Sequence, residues 1–355
     1  MKNKPLINLR YVLLITTISL FVVIYAIGCI LYPSFLSLDV FLNLFIDNAF
    51  LMVIAVGMSF AILSGGIDLS VGSMIGLTTM VSAHLLEKAH MNPFLVMAIV
   101  LLMGASFGTM MGVMIHYFKL NPFIVTLGGL FLARGLCYII STDTINITNE
   151  VYRSISSYRF YITDTAFINV NVLLFIAITI LAVYLAHYTK FGRTVYAIGG
   201  NEQSAVLMGL PVARTKVLIY TFSGFCSALS GIIFTFYMLS GYALHAKALE
   251  TDAIAAVVIG GTLLTGGYGY VIGTMFGVLI LGTFQTLIMF QGTLSAWWTR
   301  IVYGVLVLLF CLFQRLFEAN KGKMKPQLQE VDKNKIDSKP DVDLNVSEQR
   351  ETVSV

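Results

Sequence analysis

Apolar residues run in long blocks along this chain, separated by short polar or glycine-rich breaks. A helix needs about 20 mostly apolar residues to cross a bilayer. Ten blocks approach or exceed that length: 11–31, 47–63, 70–86, 93–116, 122–140, 169–188, 217–239, 252–265, 270–290 and 297–314. The pattern predicts an all-α polytopic membrane protein with about ten transmembrane helices. Two blocks, 47–63 and 252–265, are short for a span, and each runs into a glycine pair, Gly65-Gly66 and Gly266-Gly267. Interrupted helices are expected at both pairs.

The two breaks echo each other. Leu63-Ser64-Gly65-Gly66 runs on to Val71-Gly72-Ser73-Met74-Ile75-Gly76. Shifted by 201 positions, Leu264-Thr265-Gly266-Gly267 runs on to Ile272-Gly273-Thr274-Met275-Phe276-Gly277, and all four glycines match. Repeated halves with interrupted helices at corresponding positions occur in many transporters. The plainer alternative is chance, helped by the high glycine content of membrane helices. Gly104, Gly108 and Gly112, and separately Gly273 and Gly277, have the four-residue spacing that lets helices approach closely.

Two polar segments are longer than tight connections. Residues 141–168 read as an ordered loop or as a docking surface for an external protein. Within 189–216, the stretch Asn201–Gly209 reads as a short helix: Asn201 is a good N-cap, Glu202 suits the positive helix start, and Gly209 with Pro211 ends it. A helix of about two turns is unstable alone in water and needs something to pack against.

Composition sharpens the picture. The 355 residues are 57% hydrophobic and 11% charged, against about 25% charged in soluble domains, which excludes a single soluble globule. Residues 321–355 hold seven Lys/Arg and seven Asp/Glu. They are expected to form a separate polar, flexible cytoplasmic tail after a transmembrane domain at 1–320. The net charge of +4 lies in the apolar part, where it reports membrane orientation and not nucleic-acid binding. With the N-terminus inside, twelve Lys/Arg fall on the cytoplasmic side and four outside, so both termini are expected to be cytoplasmic. Lys2, Lys4 and Arg10 before block 11–31 resemble a signal-peptide start. The block is longer than a signal peptide's apolar core of about 7–15 residues, so it reads as a retained helix.

Candidate chemistry is sparse. The four cysteines sit in or beside apolar runs without a CxxC pair, and the five histidines form no metal-spaced set. No metal or other cofactor is expected. No GxxxxGK[ST] phosphate loop exists in the chain, so any ATP must be bound by another subunit. Charges inside a membrane are costly and mark functional candidates. Asp68 follows the first glycine pair and either contacts substrate or caps the helix after it. Asp47-Asn48 open the second block and face a cavity or mark the interface. Arg134 lies deep in the fifth block, where a carboxylate or backbone carbonyls would pair with it. Trp297-Trp298, with Arg300 one turn further on, mark an interface belt or offer a sugar an aromatic face. Asn48, Asp68, Arg134, Trp297 and Trp298 are the candidate substrate path.

Three segments resemble the permease subunits of bacterial ABC importers for ribose, xylose and arabinose. They are Ile62-Leu63-Ser64-Gly65-Gly66-Ile67-Asp68-Leu69-Ser70-Val71-Gly72-Ser73, Tyr196-Ala197-Ile198-Gly199-Gly200-Asn201 with Ser204-Ala205 and Gly209, and Asp252–Thr262 continuing to Gly266-Gly267. The resemblance covers about residues 10–316. Within it, Asp47-Asn48-Ala49-Phe50, Leu207-Met208-Gly209 and Gly292–Thr299 are most similar to one of the two permease subunits of a galactofuranose importer. The resemblance implies a bacterial inner-membrane protein without catalytic residues, importing a monosaccharide. It implies a second permease chain, identical or related, an ATPase subunit that binds ATP, and a periplasmic sugar-binding protein, all in membrane lipid. It places an ATPase-coupling role on Gly200, Asn201, Glu202, Ala205, Leu207, Met208 and Gly209. The tail has no counterpart in the family. An ion-coupled secondary transporter is the alternative; it requires titratable groups in the bundle, and Asp68, Asp47 and Asp252 are the candidates.

Overall fold

The computed structural model describes residues 9–295 and 297–315. Lys2, Lys4, Lys321, Lys323, Lys325 and the tail 321–355 lie outside the described residues. By internal contacts the chain divides into Met1–Phe310 and Cys311–Val355; of the second, only Cys311–Arg315 is described.

In chain order the elements are α1 (Leu9–Leu31), α2 (Leu38–Leu63), α3 (Val71–Glu87), α4 (Pro93–Tyr117), α5 (Pro122–Ile140), β1 (Ile145–Asn146), α6 (Glu150–Ser157), β2 (Arg159–Tyr161), β3 (Phe167–Asn169), α7 (Val170–Tyr188), α8 (Lys190–Gly200), α9 (Glu202–Leu207), α10 (Val212–Met238), β4 (Ser240–Gly241), α11 (Leu249–Ile259), α12 (Val271–Gln291) and α13 (Trp297–Arg315). Among the described residues eight helices, α1, α2, α4, α5, α7, α10, α12 and α13, are long and apolar enough to cross a membrane. The other two of the ten predicted blocks are the shorter α3, of 17 residues, and α11, of 11. The protein is an all-α polytopic bundle with almost no sheet.

Helix starts follow local capping chemistry. Asn92 and Asn121 each accept a backbone N–H with their side chains, and each is followed by a proline whose missing N–H costs nothing there. Ser37, Asn169 and Thr189 cap α2, α7 and α8 in the same way. Every residue from Leu51 to Leu63 is buried, so α2 is the central post of the bundle. It packs on α7, α10, α11 and α12.

The glycine-spaced face of α4 meets α10. A Cβ at Gly108 would fall 2.1 Å from the Tyr220 carbonyl oxygen, and one at Gly104 would fall 2.5 Å from that of Gly224. Gly273 and Gly277 on α12 press in the same way against the carbonyls of Gly260 and Ala256 on α11. Without a hydrophobic driving force between helices in lipid, such close packing is what holds them together.

Two expectations need correction. The second block is not a short span: α2 begins at Leu38, with Ser37 as cap and Asp39 in the first turn, and runs 26 residues. Asp47 and Asn48 therefore lie inside a helix and not at its start. The α11 helix stops at Gly260-Gly261, before Gly266-Gly267. Gly261 has φ +87°, and the N–H groups of Gly260, Gly261 and Thr262 close back on Ala256, Val258 and Val257. The second break thus spans 260–270, with Gly266-Gly267 in its middle.

The polar segment 141–168 is ordered. β1 pairs antiparallel with β4, and β2 with β3. Glu87 accepts the N–H groups of Thr148 and Asn149 and the Thr148 hydroxyl. Tyr152 on α6 is fully buried against Phe236, and burial pushes its hydroxyl pKa up to about 12.

Candidate functional site

Chemistry gathers at two places. The first is a cavity of about 800 Å³ where α10 ends and α11 begins, walled by α2, α12 and the first turns of α13. Asp47 and Asn48 come from α2, Tyr237 from α10, Asp252 from α11, Gln285 from α12, and Trp297 and Arg300 from α13. Asp252 and Arg300 form an ion pair across the wall. The Asp252 side chain is nearly buried and that of Arg300 half exposed. Tyr303 donates to the Leu281 carbonyl at 3.1 Å and ties α13 to α12. Asn48 donates to the Leu44 carbonyl at 2.8 Å. It fits because Gly282 has no side chain: a Cβ there would lie 2.5 Å from the Asn48 amide nitrogen. Tyr237 lines the cavity beside Asp47, whose side chain is open to it.

The cavity brings together two of the five expected path residues, Asn48 and Trp297. Trp298 is half exposed and does not line it. Asp68 is fully buried in the first break and accepts three hydrogen bonds: the Ser70 N–H at 3.0 Å, the Ser70 hydroxyl at 2.6 Å and the Ser223 hydroxyl at 2.7 Å. It fastens the break to α10 and has no opening to a cavity. Arg134 is held by backbone carbonyls, with Nη1 donating to Ala243 at 2.6 Å and His245 at 2.8 Å. It fixes the loop between β4 and α11. Sequence reasoning missed the Asp252–Arg300 pair as a pair. Each charge was visible singly within an apolar block, and only the fold brings α11 beside α13.

The second place is where the two breaks meet. The Gly267 N–H donates to the Leu63 carbonyl at 2.8 Å, linking break to break. Gly65 and Gly266, the matching positions of the sequence echo, have nearly the same left-handed φ, +81° and +83°. Only glycine takes that conformation without strain. A Cβ at Gly266 would lie 2.7 Å from the Gly65 nitrogen. The end of α8 joins them: a Cβ at Gly199 would lie 1.9 Å from the Leu63 oxygen and 2.3 Å from the Gly267 nitrogen. A Cβ at Gly267 would lie 2.7 Å from the Gly200 nitrogen. Three backbones therefore touch directly, and at Gly199, Gly266 and Gly267 there is no room for a Cβ.

From this junction the chain enters α9. Asn201 caps it, accepting the Ser204 N–H at 2.8 Å. Glu202 pairs with Lys216 on α10 at 2.7 Å. Ala205 is buried with Ile198 and Val212. Gly209, at φ +72°, turns the chain away. Val206, Leu207 and Met208 project outward, with Leu207 88% exposed. Among the described residues no group of His, Cys, Asp and Glu could hold a metal ion.

A helical bundle with interrupted helices, a largely apolar cavity carrying a few polar groups between its helix ends and an apolar turn presented beyond its opposite ends is a membrane permease. Comparison with known proteins gives the family. The chain belongs to the transport family described as branched-chain amino acid transport system / permease component, which matches residues 40–311. It is 46% identical to the inner membrane ABC transporter permease protein YjfF of Escherichia coli (strain K12), over 85% of this chain and 91% of that one. It is 40% identical to the fructose import permease protein FruG of Bifidobacterium longum, over 88% and 93%. It is 37% identical to the ribose import permease protein RbsC of Bacillus subtilis, over 84% and 91%. No solved structure matches.

Proposed function

We propose that this chain is the transmembrane permease subunit of an ATP-binding-cassette importer that carries a monosaccharide into the cytoplasm. Similarity to permeases named for ABC transport and for fructose and ribose import supports the class of transporter and of cargo. The observation that carries the reading is α9. A single capped turn and a half, tied at Glu202 and Ala205, presents three adjacent apolar side chains outward. An exposed apolar patch of this kind fits a partner's groove, and the partner is the ATPase subunit. ATP is bound there; the permease itself is not catalytic. The chain lies in the bacterial inner membrane with both termini cytoplasmic, which puts α9 beside the ATPase. The cavity then opens to the periplasm, where a sugar-binding protein delivers its cargo. A second permease chain completes the pore. Local resemblance at 47–50, 207–209 and 292–299 favours galactofuranose as the sugar, with ribose or another pentose or hexose as the alternative.

The ion-coupled reading is narrowed to Asp47, because Asp68 is closed in by hydrogen bonds and Asp252 is paired with Arg300. The test is purification of the chain from its native membrane in mild detergent, with mass spectrometry of what accompanies it. A phosphate-loop ATPase together with a related permease is expected. An intact complex lacking any ATPase would overturn the reading.

A further inference from the structure

The cavity's charges carry a statement about what can enter it. Among its lining residues three are charged: Asp47, Asp252 and Arg300. Arg300 is already engaged by Asp252, so those two cancel. Asp47 faces the cavity beside the neutral Tyr237, and among the described residues no ion pair engages it. Behind the wall lie one further carboxylate and one further guanidinium, Glu250 and Arg134, which are not hydrogen-bonded to each other but add no net charge. A Cβ at Gly72 would meet the Glu250 carboxylate, and one a turn away at Gly76 would meet the Arg134 guanidinium. Both charges therefore lie against the same face of α3. One negative charge is left over, in a cleft whose apolar walls focus its field.

We infer that the cavity is charge-selective: it admits neutral sugars and rejects sugar phosphates and sugar acids, and Asp47 sets that selectivity. This rests on the reading of the cavity as the sugar's way in. The remaining polar lining suits hydroxyl groups. The Asn48 and Gln285 amides and the Tyr237 and Thr299 hydroxyls both donate and accept, and the exposed Trp297 ring gives an apolar face. A phosphate or carboxylate would need a cation of its own, and Arg300, the one cation among the described lining residues, is already neutralised by Asp252.

The test reads charge directly, without transport. Gln285→Cys places a thiol in the cavity, in a background where the partly exposed Cys29 and Cys311 are serine and the buried Cys137 and Cys226 remain. The intact complex in lipid nanodiscs is labelled with a cationic (trimethylammonium) or an anionic (sulfonate) methanethiosulfonate reagent. Rates are referred to those of a free thiol. The cationic reagent is expected to be faster by roughly tenfold. Asp47→Asn should bring the ratio near one, and Arg300→Gln, which frees the Asp252 charge, should raise it. A ratio near one with Asp47 in place, or a ratio that Asp47→Asn leaves unchanged, would overturn the inference. The Arg300→Gln arm keeps the test decisive if the Asp47 variant folds poorly. Uptake of neutral sugar by the intact transporter is measured on the same variants. Charge preference without any sugar uptake would sink the transport reading and leave the selectivity standing.

Discussion

The two ends of this permease are built by opposite means. The cavity is made of side chains: amides, hydroxyls, an ion pair and an indole around open space. The junction of the two breaks is made of backbone: Gly199, Gly266 and Gly267 press against the backbones of Leu63, Gly65 and Gly200 with no room for a Cβ, and Gly65 holds a left-handed φ. A side-chain site can change its ligand by substitution while the helices stay where they are. A backbone junction tolerates substitution least where the chains are closest. The break after α2, the break after α11 and the end of α8 share this contact, and α9 follows α8 directly.

The sharpest way to break this contrast is at the junction. Gly199→Val should cost about 3 kcal/mol or more, because even a single Cβ overlaps two backbones. Loss of folded protein in detergent, followed by thermal unfolding monitored by size exclusion, checks it; a variant as stable as wild type would show that the junction is loose. Next in size is Leu207→Glu. The side chain is almost fully exposed, so the bundle should keep its melting temperature while ATPase co-purification falls at least tenfold. Normal stoichiometry would remove α9 from the coupling role.

At the cavity, effects on stability should be smaller. Asp252→Asn leaves Arg300 without its counter-charge and should cost about 1–2 kcal/mol, since Arg300 is half exposed and water takes up part of the loss. Arg300→Gln leaves a nearly buried carboxylate and should cost more than Asp252→Asn; the reverse order would show that the pair is solvated. Asp68→Asn should cost about 1–3 kcal/mol, because an amide keeps one acceptor oxygen for the three donors now shared by two. Its uptake should survive in proportion to folded protein. Uptake abolished in well-folded protein would return Asp68 to the substrate path. Trp298→Phe, outside the cavity, should be the mildest, within about 0.5 kcal/mol and without effect on uptake.

Much of this was legible in the sequence because lipid leaves few choices. A run of apolar residues such as 93–116 or 122–140 can only be a helix when its backbone has no water to bond, and the Asn-Pro starts at Asn92 and Asn121 set the boundaries. Asn201, Gly209 and Pro211 bracketed α9 by capping chemistry alone. The echo of glycines pointed to both breaks, yet not to their contact, which needs the bundle to fold α11 back on α2. The α2 start was hidden because Leu38–Ile46 mixes Asp39 and Asn43 into an apolar stretch and reads as a polar lead-in. The stop of α11 was hidden because two glycine pairs lie close together and composition does not say which one ends the helix. Asp68 and Arg134 looked like site residues because charge in a membrane is costly. The structure answers that cost with hydroxyl and backbone N–H donors for Asp68 and carbonyl acceptors for Arg134. The Asp252–Arg300 pair joins residues 48 positions apart and was invisible to spacing.

The most direct measurement is sugar uptake into liposomes carrying the co-purified complex and its binding protein, with ATP supplied on the α9 side. The account predicts uptake that requires ATP, persists when proton and sodium gradients are collapsed, and is lost with Leu207→Glu. Uptake driven by an ion gradient without ATP would contradict it.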